Sequence, residues 1–468
     1  MYTSTRATTP QSLSFEEVVM TGLAPDGGLY LPSSIPKIPI ADWSSLSFQD
    51  LAFQIMRLYI PSSEIPDSHL SSLISKSYAS FKSDEITPLY NVNENLYLLE
   101  LFHGPTYAFK DVALQFVGNL FEYFLQRKKS NPITVVGATS GDTGSAAIYG
   151  LRAKKDVKVF ILYPTGRISP IQELQMSTVP DENVHALSVN GTFDDCQDIV
   201  KAIFADKSFA SYNVAAVNSI NWARILAQIT YYFYAFYRVK GTVRFVVPSG
   251  NFGDILAGYF AYRMGLPIDK LIIATNENDI LDRFLKSGVY AKGSSVKSTH
   301  SPAMDILVSS NFERLLWYLA EGSDSERGGT VCSYMDSLKR EGSFSVPNSV
   351  LSQAREIFDS SSVTNDATIA TIKKFYASHK YVIDPHTAVG VNTALRFLEN
   401  HPATYISLST AHPAKFSEPV NKALASFPEY SFDKIIPDDL KRLSSLKKRV
   451  TYVDASLEAV ENAIKHLY

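Results

Sequence analysis

Residues 133–154, ITVVGATSGDTGSAAIYGLRAK, decide the fold. A β-branched run, Ile133 to Ala138, leads into a Gly-rich loop and then into the helix-period segment Ser145 to Lys154. The unit recurs along the chain. VKVFILYP (157–164) precedes a helix start at Ser169, which can cap, with Pro170 in the first turn and Gln172 completing a capping box. VHALSV (184–189) precedes GTFDD and an apolar helix, and VRFVVPSGNFGD (243–254) precedes ILAGYFAYRM. LIIAT (271–275) and TYISLS (404–409) are further strands. Repeated strand, loop and helix units build a mostly parallel sheet, so the core is α/β. Each strand ends at a loop rich in Gly, Ser, Thr or Asn, and such loops gather at the C-terminal sheet edge, where α/β proteins bind ligands.

A chain of 468 residues is long enough for two or three lobes around a cleft. Lys plus Arg is 44 against Asp plus Glu 47, a net charge of -3 with no basic block, which argues against nucleic-acid binding. Two cysteines, Cys196 and Cys332, build neither a disulfide framework nor a cysteine metal site. The start, MYTSTRATTPQSLSFEE, lacks the apolar core of a signal peptide, and no apolar run is long enough for a bilayer. The expectation is a cytoplasmic protein without membrane, nucleic-acid or obligate protein partners. Pro- and Ser-rich connectors in LAPDGGLYLPSSIPKIPI mark an N-terminal domain over 1–92. The remainder, 93–468, reads as the core, with 131–235 as a smaller inner lobe. Residues 320–350, polar and rich in Gly and Ser, read as a surface excursion between two helical regions.

Lys110, in LFHGPTYAFKD, follows Tyr107, Ala108 and Phe109 and precedes a helix with Val112, Phe116, Leu120 and Phe124 at every fourth position. An amine there faces an apolar pocket at a helix N-terminus. Both features disfavour its charged form, as a nucleophilic amine requires. Taken alone, such a lysine is more often a surface side chain. The loop Gly137 to Ala147 offers Thr139, Ser140, Asp142 and Thr143 at a helix start, an anion site suited to a carboxylate or phosphate. It has neither the lysine of a P-loop nor the spacing of a dinucleotide fingerprint or a nucleophile elbow. The loop Pro248 to Asp254 exposes backbone donors at another helix start and contains no Lys or Arg, which suits a phosphate held permanently by amides. Thr410 closes TYISLST, where its hydroxyl could meet a ring nitrogen. Arg224, His412 and Lys415 are candidate cations for a second, substrate phosphate. His103, Asp384 and His386 show no spacing of a metal site or a triad, and no metal is expected.

Together these segments resemble the threonine synthase family of enteric bacteria and fungi, within the fold-type-II pyridoxal-phosphate enzymes. The likeness runs through GLAPDGGLYLP, FHGPTYAFKD, GATSGDTGSAA, GRISPIQELQM, NSINWARILAQ, PSGNFGD, SPAMDI, DPHTAVG and STAHPAKF, nine motifs in one order over nearly the whole chain. It implies two open α/β lobes around a cofactor cleft, like the tryptophan synthase β chain, plus an N-terminal domain. It also implies pyridoxal 5'-phosphate on Lys110, with Gly250, Asn251, Phe252, Gly253 and Asp254 holding the cofactor and Thr410 facing the pyridine nitrogen. Thr139, Ser140, Asp142 and Thr143 would receive the substrate carboxylate, and Arg224 and Lys415 the substrate phosphate. Many relatives carry SGN where this chain has Ser140-Gly141-Asp142, and an aspartate there would repel the cofactor's phenolate. The implied activity is β,γ-elimination of phosphate from O-phospho-L-homoserine and addition of water to give L-threonine. The alternatives are a phospho-lyase releasing 2-oxobutyrate and a noncatalytic protein of the same fold.

Overall fold

The computed structural model describes residues 1–39, 43–128, 131–215 and 217–468. Its strands are β1 (Tyr2–Ser4), β2 (Tyr30–Pro32), β3 (Leu89–Asn93), β4 (Leu96–Glu100), β5 (Ile133–Ala138), β6 (Val157–Pro164) and β7 (Val184–Asn190). There follow β8 (Val214–Ala215), β9 (Val243–Pro248), β10 (Ile268–Thr275), β11 (Val289–Ala291), β12 (Ser343–Ser345), β13 (Phe358–Ser362), β14 (Thr404–Ser409) and β15 (Val450–Asp454). Two sheets carry the molecule. The larger has the order β13-β10-β9-β14-β4-β3, parallel except for the β3/β4 hairpin. The smaller, β15-β7-β6-β5-β8, is parallel throughout. The β-branched runs of the sequence are the central strands of both sheets, and their continuous burial is why they show no alternation.

The helix Trp222–Phe236 is buried on every side from Trp222 to Ala235, and its apolar composition all round matches that position. It packs on the helices Lys110–Lys128 and Gly253–Met264. The helix Lys110–Lys128 also crosses the helix Asp142–Leu151 at backbone distance. A Cβ on Gly118 would lie 1.9 Å from the Gly150 carbonyl oxygen, so only glycine fits there. That crossing fixes where Lys110 stands relative to the loop before Asp142.

Three expectations change in the structure. Residues 320–350 contain an 18-residue helix, Asp324–Glu341, rather than a loop. Composition misled because the ends, not the propensities, define this helix. Ser323 and Glu326 form a reciprocal capping box, Gly342 terminates it in a left-handed conformation, and Val331 and Leu338 anchor it. The division expected at 92/93 falls inside β3, which is hydrogen-bonded in the larger sheet. The smaller sheet takes its edge strand β15 from residues 450–454, outside 131–235, a pairing of distant segments that no local pattern announces. No helix among the described residues is long and apolar enough to cross a membrane.

Candidate active site

The C-terminal ends of β4, β5, β9 and β14 bring the candidate residues together. After β9 the chain turns through Ser249–Phe252 into the helix Gly253–Met264. Phe252 holds a left-handed backbone, φ 61°, a conformation costing roughly 1–3 kcal/mol in a non-glycine residue. Burial of its ring against Phe312 and Phe358, with centroids 5.4 and 5.7 Å away, offsets that strain. The loop's carbonyls are tied outward: Ser309 Oγ donates to Gly250 O at 2.6 Å, and Asn311 donates to Asn251 O through both its N–H and its amide at 3.0 Å. Among the described residues the amides of Gly250, Asn251 and Phe252 donate to no protein acceptor, and the buried Ser249 hydroxyl has no partner. This is a cradle of unengaged donors at a helix start, the arrangement that binds phosphate.

Lys110 begins its helix directly against the end of β14. Phe109 N–H donates to Thr410 O at 2.8 Å and His412 N–H donates to Tyr107 O at 3.0 Å, a stitch of two antiparallel segments around an Ala108–Ala411 bridge. Tyr107, itself left-handed at φ 61°, is held by its hydroxyl donating to Asp439 at 2.5 Å. The Lys110 ammonium lies 4.7 Å from the centre of the Phe109 ring and has no hydrogen-bond acceptor among the described residues. Burial lowers its pKa to about 8; Arg224 and Lys415 push the same way, against Asp142 and Asp111. Thr410 is a buried residue beside this segment, and its hydroxyl makes no hydrogen bond to protein among the described residues.

The loop after β5 divides its polar groups between structure and site. Thr139 Oγ1 accepts from Gly141 N–H at 2.9 Å and Gly144 N–H at 2.8 Å, so its oxygen shapes the turn. Asp142 accepts from Lys415 Nζ at 2.7 Å and from Gln172 Nε2 at 2.8 Å. Lys415, with its side chain fully buried, also donates to Thr106 O at 2.8 Å. Burial pushes the Asp142 carboxyl up, but Lys415 and Lys110 together outweigh it and hold it well below the usual carboxylate range. Lys415, expected as a free cation for a phosphate, is thus engaged by Asp142, and Asp142 is turned onto a cation. The hydroxyls of Ser140 and Thr143 have no protein partner among the described residues.

Arg224 lies in the first turn of the helix Trp222–Phe236, behind the cap that Asn221 makes to Ala223 N–H. It is 3% exposed, and its Nε and Nη1 have no acceptor among the described residues. Burial lowers its pKa to about 10, and its charge is felt at Lys110. A buried, unpaired guanidinium facing an amine is costly in a finished fold and fits a site awaiting an anion. Asp254 lies in the first turn of the helix after the cofactor loop. Tyr231 and Tyr232 donate to its Oδ1 at 2.5 and 2.9 Å while its buried Oδ2 has no partner among the described residues; burial raises its pKa to about 6. His412 is no cation near neutral pH, since burial lowers its pKa to about 4 and its Nδ1 accepts from Ala414 N–H.

Sequence reasoning found Gln172 only as a cap and missed Asp439, Tyr231 and Tyr232. Gln172 carried one signal, a capping box beside the Gly-rich loop. Asp439 lies 332 residues from Tyr107 and carried none.

Residues 1–78 match the family model for the threonine synthase N terminus, residues 81–406 that for pyridoxal-phosphate dependent enzymes, and residues 387–464 that for the threonine synthase C-terminal region. Threonine synthase of Saccharomyces cerevisiae is 61% identical over 99% of this chain and 97% of its own. The chain belongs to the threonine synthase family. Its fold superposes on the crystal structure of threonine synthase from yeast with a TM-score of 0.97 at 61% identity, covering 100% of this chain and 98% of that one. A pyridoxal-phosphate-bound threonine synthase from Brucella melitensis gives a TM-score of 0.92 at 42% identity, covering 100% and 99%. The chain is a fold-type-II enzyme with pyridoxal 5'-phosphate as its cofactor. The residues on hand fit that group: an amide cradle for its phosphate, a buried amine of lowered pKa for its aldehyde, and an unpartnered hydroxyl at the end of β14.

Proposed function

We propose that this chain converts O-phospho-L-homoserine and water to L-threonine and inorganic phosphate, with Lys110 carrying the cofactor and moving the protons. The observation that carries the reading is Lys110 itself, a buried amine with no acceptor among the described residues, set where three strand-end loops meet. When bound, pyridoxal 5'-phosphate supplies an electron sink conjugated to the substrate α-carbon. The amides of Gly250, Asn251 and Phe252, with Ser249 Oγ, would hold its phosphate, and Thr410 Oγ1 would meet its ring nitrogen. Asp254 serves that loop through its contacts to Tyr231 and Tyr232.

Substrate is bound at its two anionic ends. Ser140, Thr143 and the start of the helix Asp142–Leu151 receive the carboxylate, and the unpaired Arg224 guanidinium receives the phosphate. Thr139 shapes that pocket, and Asp142 with Lys415 supplies a neutral pair beside it. Lys110 Nζ takes the α-proton and, once it has released that proton within the site and is neutral again, takes a β-proton. An amine whose pKa is about 8 is neutral often enough at physiological pH to do so. The C–O bond to phosphate breaks at the γ-carbon, which gains the proton that left the β-carbon. Hydroxide from water joins the β-carbon, the other proton of that water leaves on the phosphate, and the α-carbon regains a proton from Lys110. Arg224 stabilises the leaving phosphate as its charge grows, and exclusion of bulk water strengthens that attraction.

Both cysteines are unpaired, Cys196 buried and Cys332 partly so, which fits a reducing compartment. We assign the enzyme to the cytoplasm as part of this reading. The test is to incubate the purified protein, pyridoxal 5'-phosphate and O-phospho-L-homoserine and to identify the organic product. Threonine equal in moles to released phosphate is expected. Release of 2-oxobutyrate overturns the reading in favour of a lyase, and no phosphate release overturns it altogether.

A further inference from the structure

The motif DPHTAVG stands at a junction that no step above uses. Asp384 is fully buried and caps the helix Pro385–Leu398, accepting from His386 N–H at 2.8 Å and Thr387 N–H at 3.2 Å. A cap needs no more than that, and asparagine caps equally well. The same two oxygens also take side-chain donors: His386 Nδ1 reaches Oδ1 at 2.8 Å, and the Thr387 hydroxyl reaches Oδ2. All four acceptor positions of the carboxylate are engaged.

Each side-chain bond continues to a different loop. Ala303 N–H donates to His386 Nε2 at 3.2 Å, which fixes the ring proton on Nδ1 and makes the imidazole a bridge from Asp384 to the turn Pro302–Met304. That turn presses on the cofactor loop, since a Cβ on Gly250 would lie 2.9 Å from Met304 Cα and 3.2 Å from Ala303 O. On the other side, the single hydroxyl hydrogen of Thr387 goes to Asp384, so Ser409 Oγ, 3.0 Å away, donates to Thr387. Ser409 ends β14 and precedes Thr410, whose carbonyl holds Phe109 next to Lys110.

We propose that Asp384 is a positioning residue for the reaction: through His386 and Thr387 one carboxylate sets the Gly250 loop and the Ser409–Thr410 strand end relative to each other. The proposal rests on the reading above that these two loops grip the phosphate and the ring of the cofactor. Asparagine at 384 keeps one of the two cap bonds and turns the other acceptor into a donor, so one arm of the bridge is lost with the second cap bond. A merely structural Asp384 predicts a fall in unfolding temperature with unchanged binding. A positioning Asp384 predicts weakened binding at temperatures where the variant is still fully folded.

The probe is 4'-deoxypyridoxine 5'-phosphate, which lacks the aldehyde and reports the pocket without its link to Lys110. Asp384→Asn is expected to weaken its binding tenfold or more when measured well below the unfolding temperature of the unliganded variant. His386→Phe should reproduce that weakening. Thr387→Val should bind the probe within twofold of wild type but shift the absorbance band of the bound cofactor and lower kcat without raising KM. Wild-type probe affinity and wild-type absorbance in Asp384→Asn overturn the proposal. If that variant does not fold, wild-type behaviour of both His386→Phe and Thr387→Val overturns it instead. Failure of the wild-type protein itself to bind the probe would sink the cofactor-loop reading rather than the role of Asp384.

Discussion

The pair Asp142–Lys415 offers the sharpest trial of the site's electrostatics. Both side chains are withdrawn from water, 7% and 0% exposed, and the oxygen that Lys415 holds is shared only with Gln172. Lys415→Met keeps most of the volume and removes the charge. Stripping one partner from a buried pair leaves the other uncompensated and costs roughly 3–5 kcal/mol, whereas removing both is close to neutral. Asp142→Asn added to Lys415→Met should therefore recover most of the loss. A coupling of about 2–3 kcal/mol between the two sites is the expected size for groups in contact.

The same substitution has a chemical signature at Lys110. Lys415 lowers the pKa of Lys110 and Asp142 raises it. With Lys415 gone, Asp142 is opposed only by burial and Arg224, and the midpoint moves from about 8 toward the ordinary lysine value. The assay is the rate at which the unliganded protein captures pyridoxal 5'-phosphate as a function of pH, because only the neutral amine attacks the aldehyde. Wild type should reach half its maximal rate near pH 8, and Lys415→Met should need a more alkaline solution. The double variant should return toward wild type. A Lys415→Met protein that loses less than about 1 kcal/mol and keeps its midpoint near 8 would refute the pairing and the charge balance built on it.

Replacing Arg224 with Leu should lower kcat/KM for O-phospho-L-homoserine by roughly 10²–10³, the scale of 2–5 kcal/mol for a lost buried charge contact. It should also leave the unliganded protein as stable or more so, read by thermal unfolding with and without inorganic phosphate. Lys110→Ala should abolish turnover and the absorbance of the lysine-linked cofactor, while the unliganded protein remains folded on thermal melting. The Asp254 pKa is raised to about 6 from 3.8, so the folded state binds the extra proton. Its contribution to stability is full below about pH 4 and is lost as pH rises through 6. Denaturant unfolding of Asp254→Asn against wild type should therefore show a slope difference confined to that window.

The strands, the two Gly-rich loops and the lysine at its helix start were legible because each is a local pattern. A strand buried on both faces is a continuous apolar run, and a helix start that binds an anion is a cluster of Gly, Ser and Thr. The capping box at Ser169 and Gln172 was read from four residues and stands as read. What escaped was long-range. The place of β15 beside β7, the hydrogen bond from Tyr107 to Asp439 and the pairing of Asp142 with Lys415 join segments hundreds of residues apart.

Asp142 shows how such a gap distorts a local inference. Read along the chain, an aspartate in the anion-binding loop looks repulsive toward the cofactor's phenolate. In three dimensions Lys415, 273 positions later in the numbering (415 − 142), cancels its charge, and Gln172 takes a share of the same oxygen. The loop therefore presents Ser140, Thr143 and backbone amides to the cleft while the carboxylate faces its own cation. Arg224 remains a buried cation whose Nε and Nη1 have no acceptor among the described residues, and its charge is felt at Lys110. Charge in this site is legible only after the partners are known. A sequence motif can say where an anion binds, but which cation stays free to meet it is decided by the packing.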